Sequence, residues 1–313
     1  MNLKNLKLRE KSTNIIRRIV QISAFLLINY IILEFIFSIN LISLEGFFKV
    51  FPVLNSPRNP LSEGAGILEY IFYSITQGLF PILLIGAFIL IILLTNRFFC
   101  GWICPIGTIQ DGITALPIDT KSMKMTTHKT LLKVKYIIIA LLVILIIPLG
   151  ITRVTDLALY VEFRDNLGPL AQKPIGFFSL SEFIFVFFPN MIASIWTSGG
   201  LAPLFSDIGL LAMFAIYIII IVLSVWYPRF YCRYICPFGA VASTISTFSF
   251  LKLSRSPVKC VGRQECGICE RVCPKQIRIL DEPYQFFTGN GECNMCLECK
   301  EKCPYAAINI KFG

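Results

Sequence analysis

The twelve cysteines of this 313-residue chain fall into short groups, and two of the groups are copies of one motif. The stretch RFFCGWICP holds Cys100 and Cys104, and RFYCRYICP holds Cys232 and Cys236. The second copy follows the first at a constant offset of 132 residues, with Arg, Phe, Ile and Pro repeated beside the cysteines. Thiolates bind soft metals and iron–sulfur clusters and are also redox nucleophiles, so the repeat is a candidate for either chemistry.

The other eight cysteines lie in the C-terminal tail, where their spacing is that of a bacterial ferredoxin. The run CNMCLECKEKCP is C-x2-C-x2-C-x3-C-P, typical of a [4Fe–4S] site, and CVGRQECGICERVCP differs only in a wider first gap. In two-cluster ferredoxins the fourth cysteine of each run ligates the other cluster. This rule assigns Cys260, Cys266, Cys269 and Cys303 to one cluster and Cys293, Cys296, Cys299 and Cys273 to the other.

Two alternatives bear on the tail. Zinc also binds C-x2-C pairs, but two successive runs that each end in C-x3-C-P favour iron–sulfur clusters. Five residues separate Cys260 from Cys266 where two are usual, so Cys260 is the least secure of the eight predicted ligands. Without it, its site would hold a three-iron or labile cluster.

Each copy of the repeated motif places a proline directly after its second cysteine. Proline disfavours helical geometry in the residue before it and suits the first position of a helix, so we predict that Cys104 and Cys236 cap helices. If the two copies fold with approximate two-fold symmetry, Cys100, Cys104, Cys232 and Cys236 converge. They would then hold a third cluster or another thiophilic metal. Two separate thiol pairs, redox-active or structural, are the alternatives.

The elements that must position these cysteines are membrane helices. The chain is 55% hydrophobic and only 15% charged, and a bilayer crossing needs about 20 apolar residues. We expect an α-helical membrane protein with four transmembrane helices in two repeated pairs. Gln77 and Pro81 lie in the second run and either line a cavity or kink a helix. Lys133 and Lys135 precede the third run and are expected to snorkel. The four runs are Ile19–Ile42, Tyr70–Leu94, Tyr136–Ile151 and Ile208–Tyr227.

The net charge of +10 comes from basic residues that flank the membrane runs, which argues against a nucleic-acid partner. Lys and Arg concentrate in the N-terminal segment and between the second and third runs. By the positive-inside rule, both termini, both motif copies and the tail face the cytoplasm in a multi-pass protein of the cytoplasmic membrane. A further apolar stretch, residues 175–196, is apolar enough to raise a fifth crossing, but that crossing would put the two motif copies on opposite faces of the membrane. We therefore interpret it as a re-entrant or interfacial helix broken near Pro189.

A change of composition divides the chain into two predicted domains. Residues 1–253 form the transmembrane domain, and residues 254–313 form a small α+β ferredoxin domain with too little apolar content to fold without metal. The single histidine, His128, lies in a lysine-rich segment and is expected to be solvated. A membrane haem usually takes two histidine ligands, which this chain does not supply.

The motif CGWICPIGTIQ, its repeat CRYICPFGA, four predicted helices and a two-cluster tail resemble the NapH-type membrane ferredoxins of nitrate-respiration systems. NosR-type and CcoG-type polyferredoxins carry related motifs. The resemblance covers nearly the whole chain and implies a quinol-linked electron-transfer subunit with cytoplasmic clusters, in a complex with oxidoreductase partners. The wide gap after Cys260 and the long second external loop depart from the pattern.

Three functions remain open at this level. The first is electron transfer between membrane quinol and a partner oxidoreductase. The second, which the CcoG-type resemblance allows, is a maturation or metal-handling factor that delivers electrons or copper during cofactor assembly. The third is a membrane anchor whose clusters serve only structure.

Overall fold

The computed structural model describes residues 3–28, 67–172, 174–200 and 208–313, most of which are helical. The first helices are α1 (Leu3–Ile28), α2 (Ile67–Thr76), α3 (Ile82–Thr95), α4 (Phe98–Trp102), α5 (Pro105–Ile113), α6 (Met125–Thr155), α7 (Leu157–Leu167), α8 (Pro169–Gln172), α9 (Leu180–Glu182) and α10 (Phe188–Ser198). They are followed by α11 (Ile208–Trp226), α12 (Phe230–Tyr234), α13 (Pro237–Ser246), β1 (Leu251–Arg255), α14 (Gly262–Glu265), α15 (Ile268–Arg271), α16 (Glu298–Glu301) and β2 (Ile308–Phe312).

Within the described residues, two helical stretches are long and apolar enough to cross a bilayer, α6 and Leu180–Thr197. Their most apolar windows have mean hydropathies of 2.8 and 1.4. Shorter apolar helices accompany them, namely α2, α3 and most of α11. These helices agree with the predicted membrane protein. The first predicted run, Ile19–Ile42, begins within α1, but its part beyond Ile28 lies outside the described residues. The number of crossings and their orientation therefore stay predictions.

The predicted membrane run Tyr70–Leu94 consists of two helices, because α2 ends at Thr76 and α3 begins at Ile82. Gly78 has a φ of 74°, a conformation that favours glycine, and Pro81 occupies the position just before α3. Gln77 lines a cavity beside this break and donates from Nε2 to the Tyr160 hydroxyl at 3.3 Å. Of the two predicted alternatives, Gln77 lines a cavity, whereas Pro81 precedes a new helix instead of kinking a single one.

The predicted break near Pro189 is also wrong. A π-helical turn, Phe183–Phe187, joins α9 to α10 without interruption. Proline has no N–H to donate to the preceding turn, and a wider π turn accommodates that missing hydrogen bond. Residues 180–198 therefore form one continuous helical segment, which follows a separate 3-10 turn at Gly176–Phe178.

The N-terminal part of α6 carries two polar side chains whose predicted exposure is wrong. Lys135 is fully buried and forms an ion pair with Glu292 of the tail. His128 is also buried, with Nδ1 2.8 Å from the hydroxyl of Tyr234. Both are covered because the tail and the second cysteine motif pack over this end of the helix, whereas Lys133 stays exposed.

The tail is built on one antiparallel strand pair, in which Leu251 of β1 lies opposite Phe312 of β2. Short helices α15 and α16 occupy matching positions in the two cysteine runs. The residue before each is left-handed, with φ of 60° at Gly267 and 62° at Leu297. Phe250, the residue just before β1, donates its backbone N–H to the carbonyl oxygen of Leu93 in α3. This hydrogen bond joins the sheet to the end of α3.

Candidate iron–sulfur sites

The two copies of the cysteine motif adopt the same local structure. Helices α4 and α12 each carry the first cysteine, the chain then turns, and Cys104 and Cys236 precede prolines that begin α5 and α13. Their backbone angles are nearly identical, with φ and ψ of −59° and 123° at Cys104 and −55° and 116° at Cys236. The predicted cap position is confirmed for both residues. At the second copy, the Gly239 N–H also donates to the Cys236 sulfur at 3.3 Å.

The four cysteines of the repeat come together in one apolar core. Cys104, Cys232 and Cys236 are buried in the same hydrophobic cluster, and the partly buried Cys100 packs against it. Burial raises the pKa of the Cys104 thiol, and Cys232, Cys100 and Cys236 raise it further by electrostatic repulsion. The two copies thus form one group of thiols rather than two separated pairs.

Buried cations surround this group. Arg229 Nη1 donates to the carbonyl oxygen of Cys100 at 3.0 Å, and Lys275 Nζ donates to that of Cys232 at 2.8 Å. Burial raises the pKa of Cys232, whereas Lys275, Arg229 and Arg97 oppose the rise. Since a buried charge needs a partner, cations here favour anionic sulfur ligands.

Two carboxylates balance the motif arginines. Asp111 accepts from Nε and Nη2 of Arg229, both at 2.7 Å, and Glu292 accepts from Nη1 of Arg97 at 3.0 Å. Burial raises the pKa of Asp111, but Arg229 and Arg17 lower it by more and leave it at about 2. Both carboxylates are therefore ionised at neutral pH.

The two ion pairs are related by the repeat, with one exchange. Arg97 and Arg229 are equivalent, but the residue equivalent to Asp111 in the second copy is Ser243. Glu292, from the tail, supplies the carboxylate that Ser243 does not. The hydroxyl of Tyr136 lies 2.7 Å from Ser243 Oγ and 3.4 Å from Glu292 Oε1, so both residues occupy the same neighbourhood.

The tail contains a cavity at each of its two predicted cluster sites. One cavity is lined by apolar residues such as Leu280 and Ile308 together with four cysteines, Cys260, Cys266, Cys269 and Cys303. The five residues that separate Cys260 from Cys266 include the single turn α14, Gly262–Glu265. This turn returns the chain toward the cavity, so the wide gap does not remove Cys260 from the group.

The second cavity is lined by Leu253, Ile277 and Phe287 together with Cys273, Cys293, Cys296 and Cys299. Each cavity therefore combines three cysteines of one run with the last cysteine of the other, as the ferredoxin rule groups them. Backbone N–H groups point at the sulfurs, for example from Ala307 to Cys303 at 3.3 Å. Buried thiols, apolar walls and N–H donors fit iron–sulfur clusters.

No group of three or more His, Cys, Asp or Glu side chains in the described ranges has the spacing of ligands to one metal ion. This applies equally to the tail cysteines and to the repeated motif. In a cubane cluster each thiolate binds a different iron, so its sulfurs stand farther apart than the ligands of a single ion.

Comparison with known proteins bears directly on the repeat. The sequence profile of a 4Fe-4S binding domain matches residues 77–119 and 210–255, which are the two segments that carry the repeated motif. The chain is also 36% identical over 83 residues to a regulatory protein NosR of Pseudomonas aeruginosa, which is 23% of the chain and 73% of that relative. The chain belongs to the NapH/NosR-like family of membrane ferredoxins.

This membrane ferredoxin is 26% identical to the putative electron transport protein YccM of Escherichia coli, over 78% of the chain and 60% of the relative. It is 28% identical to an uncharacterized protein of Methanocaldococcus jannaschii, over 71% of the chain and 67% of that relative. It is 24% identical to the regulatory protein NosR of Stutzerimonas stutzeri, over 66% of the chain but only 24% of NosR. No solved structure matches it.

The tail of the membrane ferredoxin is docked tightly onto the repeated motif. Trp102 Nε1 donates to the carbonyl oxygen of Met295 at 2.8 Å, and Arg97 also donates to that of Gly291 at 3.2 Å. A Cβ at Gly101 would stand 2.2 Å from the carbonyl oxygen of Asn294, so only glycine permits this approach. The segment bearing Cys293 and Cys296 is thus seated directly on the first motif.

The N-terminal helix completes the site in a way that the sequence did not reveal. Arg17 is 1% exposed and donates to the carbonyl oxygen of Cys296 at 2.9 Å and to Glu298 at 2.8 Å. Gln21 donates to the carbonyl oxygen of Gly101 at 2.9 Å. The positive-inside rule counts Arg17 only as one of the basic residues that indicate which end of a helix faces the cytoplasm. The repetition of Arg97 and Arg229 in the two motif copies was the one sequence signal that basic residues here have structural partners.

Proposed function

We propose that this membrane ferredoxin transfers electrons between membrane quinol and a partner oxidoreductase through two [4Fe–4S] clusters in the tail and a third at the repeated motif. The observation that carries the proposal is the closeness of three groups of four cysteines. The tail segment that bears Cys293 and Cys296 packs on the first motif, where a Cβ at Gly101 would stand 2.2 Å from the carbonyl oxygen of Asn294. Within the tail, each cavity takes three cysteines from one run and the last cysteine from the other, so the two groups adjoin.

The tail cavities support two clusters. Cys260, Cys266 and Cys269 with Cys303 would hold one, and Cys293, Cys296 and Cys299 with Cys273 would hold the other. When bound, such clusters accept and give single electrons. The chain itself excludes water with residues such as Leu253 and Phe287, and donates N–H bonds to the sulfurs, both of which tune reduction potentials.

A third cluster, rather than a single ion, fits Cys100, Cys104, Cys232 and Cys236. Three observations favour it: the four thiols share one buried core, buried cations adjoin them, and the 4Fe-4S profile covers both motif segments. Copper delivery during cofactor assembly is the alternative, and copper bound at these four cysteines without any reaction with quinol would favour it.

The test is anaerobic mixing of the purified protein, or its native complex, with a reduced menaquinol or ubiquinol analogue. We expect the broad iron–sulfur absorbance to bleach. The double variant Cys100→Ser/Cys104→Ser should slow reduction by quinol while dithionite still reduces the tail. If dithionite reduces the wild-type clusters and no quinol does, the quinol assignment fails.

Iron analysis separates the third site from the first two. The wild type should contain about four irons more than the double variant, because a cubane holds four. Equal iron contents would assign the motif cysteines to thiol chemistry instead.

A further inference from the structure

Three phenylalanine side chains are exposed at the end of the tail sheet that adjoins the membrane domain. Phe248 and Phe250 precede β1 and Phe312 ends β2, and their side chains are 75%, 45% and 67% exposed. The ring centroids of Phe250 and Phe312 lie 6.0 Å apart. These three residues are called the phenylalanine patch. Clustered apolar side chains at a surface mark a contact with a partner or a membrane.

Two hydrogen bonds fix the phenylalanine patch at the end of α3. The N–H of Phe250 donates to the carbonyl oxygen of Leu93 at 2.7 Å, and Asn96 Nδ2 donates to that of Leu251 at 2.9 Å. Helix α3 belongs to the predicted membrane run Tyr70–Leu94, and Leu93 lies in its last apolar turn. The patch is therefore level with the boundary between the acyl chains and the headgroups of the bilayer.

The exposed face of α3 runs toward this boundary. Leu83, Leu90 and Leu94 follow one another at intervals of seven and four residues, so they share one face of the helix. Their side chains are 91%, 55% and 42% exposed. An uncovered apolar face on a membrane helix meets lipid, and Phe250 lies at the end of the helix toward which this face runs.

Two lysines accompany the phenylalanine patch. Lys252 of β1 lies directly opposite Lys311 of β2, and like charges in this position repel each other. Their Nζ atoms lie 5.7 and 5.9 Å from the ring centroid of Phe286, but neither lysine takes part in an ion pair among the described residues. Neither strand contains Asp or Glu. A neighbouring anion would relieve this repulsion.

We propose that the phenylalanine patch and these two lysines bind the surface of a bilayer that contains anionic phospholipid. The rings lie at the edge of the acyl chains, where membrane proteins are enriched in aromatic side chains. Lys252 and Lys311 pair with the phosphates of anionic headgroups. Lipid is the occupant that the position favours, because the patch is level with the last apolar turn of α3. This contact requires neither the clusters nor quinol.

The test replaces Phe312 with photoreactive p-benzoylphenylalanine in the full-length protein, held in nanodiscs of phosphatidylglycerol and phosphatidylcholine in equal amounts. Phe312 is largely exposed, so the larger ring should be tolerated. Irradiation should attach lipid to the protein, detected by its intact mass. The control carries the same analogue at Tyr305, which is 47% exposed and lines a cysteine cavity together with Arg255. Arg255 lies about 14 Å along β1 from Leu251, so this position should attach little lipid.

The headgroup of the attached lipid tests the lysines. Phosphatidylglycerol should be enriched over phosphatidylcholine about fivefold or more, which corresponds to the attraction of one lysine to an anionic surface. Lys252→Gln with Lys311→Gln should bring the ratio close to one. Lys259→Gln with Lys302→Gln is the matched control, since it removes two exposed lysines beside other tail cysteines and should keep the enrichment.

The same irradiation in cell membranes separates lipid from other occupants of the phenylalanine patch. The analogue at Phe312 should again give lipid adducts. Crosslinks chiefly to a second copy of the chain or to another protein would overturn the inference. Absence of lipid adducts, equal adducts from the Tyr305 position, or enrichment that survives the loss of Lys252 and Lys311 would overturn it as well.

Discussion

Arg97 and Glu292 lie 195 positions apart in the chain, and the guanidinium of the first donates to the carboxylate of the second at 3.0 Å. Lys135 of α6 shares the same carboxylate. One carboxylate of the tail therefore pairs with two buried cations of the membrane domain. The tail is thus a fixed part of the cysteine site rather than a tethered, independent carrier.

The first prediction concerns this shared carboxylate. Glu292→Gln removes the negative charge that Arg97 and Lys135 share. Removing one partner of a buried ion pair lowers the free energy of unfolding by about 3–5 kcal/mol. We expect a lower unfolding midpoint and faster proteolysis between α13 and β1. The control is Asp281→Asn, which breaks an exposed pair with Arg263 and should change little. Equal behaviour of the two variants would contradict the role of Glu292.

The second prediction concerns the close approach at Gly101. A Cβ at this position would meet the carbonyl oxygen of Asn294 at 2.2 Å, so Gly101→Ala should displace the segment that carries Cys293 and Cys296. Iron content should fall by about one cluster, measured as iron per chain. Gly112→Ala is the control, because nothing lies within 4 Å of its added Cβ. Full iron occupancy in Gly101→Ala would show that the tail docks differently.

Cysteine spacing and the position of proline were enough to predict the grouping of the tail cysteines and the caps at Cys104 and Cys236. Both are local patterns in which neighbouring residues dictate the geometry. The burial of Arg17, His128 and Lys135 was not predictable in this way, because each is covered by a segment distant in sequence. Composition alone could not reveal that coverage, and it favoured exposed, membrane-flanking charges.

The membrane runs show the same limit. Hydropathy correctly located apolar sequence in Tyr70–Leu94, but hydropathy averages over a window and does not register a turn of a few residues. The break after Thr76 depends on Gly78 and Pro81, whose conformations end one helix and begin the next. Conversely, Pro189 is accommodated by a π turn, which no hydropathy pattern signals.

The third prediction concerns Cys260. It lines the same cavity as Cys266, so its unusual spacing gives no structural reason for a weaker role. Cys260→Ser and Cys266→Ser should each remove the signal of one reduced cluster in electron paramagnetic resonance and leave the other. Cys299→Ser should remove the other signal. Retention of both four-iron signals in Cys260→Ser would exclude Cys260 as a ligand.

The fourth prediction is a pH dependence at Asp111. Burial raises its pKa, but Arg229 and Arg17 bring it to about 2, below the ordinary 3.8. The ionised carboxylate therefore adds stability that is fully present above pH 3.8 and is lost as the pH falls toward 2.

Asp111→Asn should lower the unfolding midpoint at pH 7, followed by tryptophan fluorescence. The difference in unfolding midpoint between Asp111→Asn and the wild type should shrink as the pH is lowered from about 5. The exposed Asp119→Asn is the control and should show no such convergence. A difference that stays constant down to pH 3 would rule out Asp111 as the titrating group.

The last prediction tests whether the tail carboxylate replaces one that the second repeat lacks. Ser243 occupies the position equivalent to Asp111, and Tyr136 connects it to Glu292. Ser243→Asp alone should destabilise the protein, because it buries a second negative charge beside Glu292. Combined with Glu292→Gln, the new carboxylate can instead pair with Arg97, as Asp111 pairs with Arg229. The double variant should therefore be more stable than the sum of the two single changes predicts, by about 0.5–3 kcal/mol of interaction energy. Additive losses in unfolding midpoint and in free energy of unfolding would mean that Ser243 and Glu292 do not serve the same arginine.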